Sequence, residues 1–66
     1  MCMMSVKYMN DHGDEALMEN VVQLIQNPEG IQLRSLLDAP IFLPGKWSIT
    51  VDFAKGMTQV SPERTP

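Results

Sequence analysis

Sixty-six residues, 44% of them apolar, describe one folded domain at most, and a chain this short has a marginal core that calls for a partner subunit or a metal. Eight acidic residues against five basic ones give a formal charge of −3. Lys7, Arg34, Lys46, Lys55 and Arg64 stand singly, which argues against nucleic acid, since phosphates are met by clustered cations.

Met3 to Met9 alternates as a strand does. Cys2, Met4, Val6 and Tyr8 fall on one face, and Met3, Ser5 and Lys7 on the other. Asn10-Asp11-His12-Gly13-Asp14 is a polar turn. The segment from Glu15 to Gln26 has two readings. Ala16, Leu17, Val21, Leu24 and Ile25 make a helical stripe with Asp14 as its cap; the same residues also make a bent strand interrupted at Glu19-Asn20. Asn27-Pro28-Glu29-Gly30 forces a turn, because proline fixes its φ and glycine accepts a positive one.

Ile31 to Leu37 reads as a strand, broken at Asp38-Ala39-Pro40. Ile41-Phe42-Leu43 is a short apolar piece ended by Pro44-Gly45. Trp47 to Asp52 carries the clearest strand signal, with Trp47, Ile49 and Val51 on one side. Phe53-Ala54-Lys55-Gly56 is a hairpin loop with Gly56 in the left-handed position, and Met57 to Val60 returns from it. Short strands separated by turns predict a small, strongly bent antiparallel sheet or barrel. Residues 1–60 form this domain and residues 61–66, polar with two prolines, form a flexible tail. There is no internal repeat.

No positively charged leader precedes an apolar stretch, and no apolar run approaches the ~20 residues that span a bilayer. A soluble, cytoplasmic protein is expected, in which a lone thiol stays reduced. The chain has no Walker or dinucleotide glycine pattern. One histidine and one cysteine do not assemble a nucleophile, base and orienting group, so an enzyme is not expected.

Three features carry chemistry. His12 with Asp11 and Asp14 offers oxygen and nitrogen donors, although turns collect such residues for conformational reasons alone. Six methionines, three of them beside Cys2, offer soft donors suited to copper(I), with core packing as the plainer account. Cys2, the one cysteine, cannot form an intrachain disulfide or a closed metal site. Its Sγ and backbone nitrogen close a five-membered chelate ring. Two chains about a two-fold axis would offer two sulfurs and two nitrogens, and a planar set of that kind suits nickel(II) or copper(II) better than zinc.

The start Met1-Cys2-Met3 resembles that of the CooT family, small nickel-binding proteins linked to maturation of carbon monoxide dehydrogenase. The likeness continues at Asn27-Pro28-Glu29-Gly30, Leu36-Leu37-Asp38, Pro44-Gly45 and Ile49-Thr50-Val51-Asp52-Phe53 with the Lys55-Gly56 turn. Prolines 40 and 44 and the Met-rich start depart from the pattern. The resemblance implies an all-β homodimer of small barrels, about six short strands each, and favours a strand for Glu15 to Gln26. It further implies one nickel(II) shared by the Cys2 thiolates and backbone nitrogens of both subunits, for delivery to a nickel enzyme. Members of this group have also been labelled predicted RNA-binding proteins, which the scattered charge here does not support. Two other readings stand beside it. One is a nucleic-acid or protein interaction module with Cys2 merely structural; the other is a copper(I) carrier using Cys2 and the nearby methionines.

Overall fold

The computed structural model describes residues 3–63. Six strands follow one another: β1 (Met4–Met9), β2 (Glu15–Asn27), β3 (Gly30–Ser35), β4 (Ile41–Pro44), β5 (Trp47–Asp52) and β6 (Met57–Pro62). They form one sheet in the order β4-β3-β2-β1-β6-β5, and no helix occurs among the described residues. The all-β expectation holds. Two details differ from it: β1 and β6 run parallel, so the sheet is mixed, and the sheet is not closed. Hairpin turns force consecutive strands to be antiparallel, but no turn links β1 to β6. Their relative direction follows from the whole path of the chain between them.

The sheet is nonetheless strongly bent. Its two edges, β4 and β5, are joined through Gly45 and Lys46 alone, so the sheet must curl to bring them together at that corner. Trp47 Nε1 donates to the Pro44 carbonyl oxygen at 2.9 Å and ties one edge to the other. Inside the curl lie Val6, Met18, Val21, Ile31, Leu33, Leu43 and Val60, with Tyr8, Leu24, Ile41, Trp47 and Ile49 packed around them.

β2 resolves the helix-or-strand ambiguity and explains it. Met18, Val21 and Leu24 all contribute to the core, yet they are spaced by three, which a regular strand would place on alternating faces. The register slips between Met4 and Val6 against β2, and again between Val21 and Gln23 against β3. Asn20 adopts φ 59°, the left-handed region. Bulges of this kind insert a residue and bend the strand, so a three-residue period survives in a strand and mimics a helical stripe. Asparagine tolerates that conformation where β-branched residues do not. Asn20→Val is therefore expected to lose about 1–2 kcal/mol in urea denaturation, with Asn20→Gly close to wild type. Equal stability of the two variants would show that the bulge does not need this φ.

Two boundaries moved by two residues, and the others by one at most. β3 stops at Ser35, leaving Leu36 and Leu37 in a turn rather than in the strand. Ser35 Oγ accepts from the Asp38 amide at 2.8 Å and closes that turn, a local bond that outcompetes strand pairing. β6 runs on to Pro62 instead of ending at Val60, because Ser61 and Pro62 continue the register with Ser48 and Trp47. The last three residues of the expected tail lie outside the described residues.

Candidate functional site

Three pieces of chain meet at one end of the sheet. Met4 pairs with Val21 and Ser5 with Met57, so the start of β1 lies between the bulge of β2 and the start of β6. Ser5 donates its amide to the Gly56 carbonyl at 3.1 Å, which joins β1 to the β5–β6 turn. Leu36 donates to the Asn20 carbonyl at 3.0 Å, which joins the β3–β4 turn to the bulge. The N-terminal strand thus begins flanked by two turns.

Cys2, singled out as the metal donor, and Met1 lie outside the described residues. Their neighbours are described. Met3 is 40% exposed. Met4 faces inward, and its Sδ accepts a hydrogen bond from the Thr58 hydroxyl. Thr58 is the buried polar residue among those described, and this thioether contact satisfies it. Met4 therefore has a structural partner: half-buried at the start of β1, its sulfur receives a buried hydroxyl. Sequence reasoning had no signal for that pair, whose members are 54 positions apart.

Asp11, His12 and Asp14 lie at the opposite end of β1, exposed in the turn to β2. Asn10 Oδ1 accepts from the His12 and Asp14 amides at 3.0 Å each, and the Asn10 amide donates to the Asp14 carbonyl at 2.8 Å. Gly13 takes φ 81° at the tip. These polar residues serve the turn's geometry. Among the described residues, no group of three or more His, Cys, Asp or Glu side chains is gathered as a metal site would require.

Two hollows open on the surface of the described residues. One of about 230 Å³ opens where β1 and β6 part, lined by Lys7, Tyr8, Glu15, Gln59 and Ser61 among others. The other, about 450 Å³, sits at the corner of the two sheet edges around Asn27, Lys46, Trp47 and Glu63. Neither is lined by a histidine or a cysteine. No helix among the described residues is long and apolar enough to cross a membrane.

These features define a class: a small all-β protein of one bent sheet, whose single thiol stands two residues ahead of the first strand. A family model for the CO dehydrogenase accessory protein CooT matches residues 1–56, and the chain belongs to that family. The matched stretch includes Cys2 and ends at Gly56, the last residue of the β5–β6 turn. No curated protein matches the chain significantly.

Proposed function

We propose that this protein is a non-enzymatic nickel(II) carrier for CO dehydrogenase, acting as a homodimer in the cytoplasm. Family membership carries the accessory role. The donor chemistry supports the rest. Cys2 supplies a thiolate and an adjacent backbone nitrogen, and one chain alone provides only half of a four-donor set. A second copy related by a two-fold axis supplies the other half. Such a site is small, open and shared between two chains, which suits an ion that must be released again.

Met1 matters to this chemistry. While it remains, the Cys2 nitrogen is an amide that the metal must deprotonate; once it is cleaved, that nitrogen is a free amine. Intact mass distinguishes the two, and a mature chain starting at Cys2 removes the amide version. The reading itself is tested by adding nickel(II) to the wild type and to Cys2→Ala while thiolate charge-transfer absorption is followed. Saturation at one metal per two chains, lost in the variant, is the expected result. Equal binding by Cys2→Ala would sink the reading, and preference for copper(I) under reducing conditions would replace nickel with copper.

A further inference from the structure

The open sheet has two edge strands, and they are built differently. At β4 the Gly45 amide donates to the Glu29 carbonyl at 3.0 Å, in the register that sets Gly30 against Pro44. Antiparallel partners alternate between bonded and unbonded positions, so Ile41, Leu43 and Gly45 direct their backbone groups to β3. The outward positions are Pro40, Phe42 and Pro44, and a proline has no amide to offer. Edge prolines of this kind turn away a further strand.

β5 lacks that defence. Glu63 donates to the Lys46 carbonyl at 3.0 Å, so Lys46, Ser48, Thr50 and Asp52 direct their backbone groups to β6. Pro62 stands opposite Trp47, where no amide is needed. Trp47, Ile49 and Val51 therefore turn their amides and carbonyls to the outer edge, where no strand lies among the described residues. β5 contains no proline or glycine and keeps an unbroken register with β6. Such an edge is a template for another strand.

The residues of β5 also complement themselves. Laid antiparallel on a second copy with Ile49 opposite the partner's Ile49, each outward-facing residue meets another outward-facing one, and both backbone groups are exchanged. Trp47 then meets the partner's Val51, an aromatic and β-branched pair, and covers a side chain that is 44% exposed in the single chain. On the other face Ser48 meets the partner's Thr50, and exposed Lys46 meets the partner's Asp52, an ion pair at each end of the joint. A slip of two residues in either direction parts these charges. A slip of one sets core-side residues against outer-face ones.

We propose that two copies of this chain pair edge to edge through β5, without metal, about a two-fold axis at Ile49. The pairing supplies the partner subunit that so small a core calls for. It goes beyond the nickel reading and uses a different surface. Ser5 pairs with Met57 and Met57 with Asp52, so β1 begins level with Asp52. The starts of the two β1 strands thus stand at opposite ends of the joint, about 20 Å apart along the strands. Nickel shared through Cys2 then joins one β5 pair to another.

Sedimentation equilibrium of the full chain in a chelator, over a range of protein concentrations, tests this. The wild type and Cys2→Ala are both expected to sediment as two chains. Val51→Pro removes an outward amide and leaves the β6 ladder whole, so it is expected to keep the wild-type circular dichroism and sediment as one chain. Lys46→Glu opposes like charges at both ends and is expected to weaken the pair about tenfold, with recovery on adding Asp52→Lys. This charge reversal carries the test alone if Val51→Pro does not fold. A single-chain wild type, a single-chain Cys2→Ala, or unchanged pairing in both Val51→Pro and Lys46→Glu overturns the proposal. Nickel(II) is expected to raise the wild type above two chains and to leave Cys2→Ala at two. Absence of that rise counts against the shared Cys2 site and leaves the β5 pair standing.

Discussion

Gly30→Ala is expected to destabilise this protein more than any other one-methyl addition at a glycine. A Cβ at Gly30 would stand 2.8 Å from Phe42 Cζ and 3.0 Å from Pro44 Cα, and closer still to the Leu43 carbonyl oxygen. At Gly13, Gly45 and Gly56 the same atom would meet nothing within 4 Å. The cause lies in the pairing. Gly30 opens β3, sits opposite Pro44 on β4, and is covered on the outer face by the Phe42 ring. Asn27 Oδ1 also holds the Gly30 amide at 3.0 Å, so the glycine cannot back away from β4. Overpacking of this kind costs about 1–3 kcal/mol, sometimes more, where stability for a chain of this size is about 3–10 kcal/mol.

A fall in Tm of about 10–20 °C by circular dichroism is the expected reading, since each kcal/mol moves a small domain by about 4–8 °C. Adding Phe42→Ala should recover only part of the loss. The ring can be removed, but the Leu43 carbonyl and Pro44 Cα belong to the backbone of the neighbouring strand. A Tm within 3 °C of wild type, or full rescue by Phe42→Ala, would show that β4 yields easily and that the contact does not fix the edge.

The same glycine shows how far the sequence could be read. Asn27-Pro28-Glu29-Gly30 announced its turn through local rules, and Asn27 Oδ1 does accept from the Glu29 and Gly30 amides at 3.0 Å. Gly56 likewise takes φ 63° where the hairpin needed it. What local rules do not reach is contact between distant segments. The parallel β1–β6 pair, the close passage of Pro44 over Gly30, and the Thr58–Met4 contact all join positions remote in sequence. Val51 follows Ile49 in the alternation and pairs with buried Thr58, yet on the edge strand β5 it keeps 44% exposure. Leu36 and Leu37 read as strand residues by apolar character, yet they lie in the turn after β3. The Ser35 and Asp38 pair beside them was the available signal for a turn.

The candidate site was legible in a different way. Cys2 drew notice because a lone thiol has no partner within its own chain, and that is chemistry rather than geometry. The family match agrees with the reading of the N-terminus and turns as one ordered series, since it covers residues 1–56. The flanking apolar turns needed the fold. Phe53 and Leu37 lie 16 positions apart in the sequence, and their turns fall at the same end of the sheet only through the order β3-β2-β1-β6.

Nickel(II) itself is expected to stabilise the folded protein strongly, and to do so only when Cys2 is present. A ligand that binds the folded state alone adds RT ln(1 + [L]/Kd), about 2.7 kcal/mol at a hundredfold excess over Kd. For a domain with so little core, that corresponds to a rise in Tm of about 10–20 °C. Because the proposed ion joins two chains, the gain should also depend on protein concentration, as it would not for a site within one chain. The sign of the pH effect follows from the donor. Thiolate is the ligand and protons compete for it, so affinity weakens about tenfold per released proton for each pH unit below the thiol pKa. Two thiols acting together give about a hundredfold per unit, and metal-deprotonated amides would steepen the slope further. Melting curves with and without nickel from pH 6 to pH 8, for wild type and Cys2→Ala, read all of this at once. The wild-type shift should grow with pH while the variant stays flat. An equal shift in Cys2→Ala would move the metal to other donors, and a wild-type shift independent of protein concentration would refute the shared site.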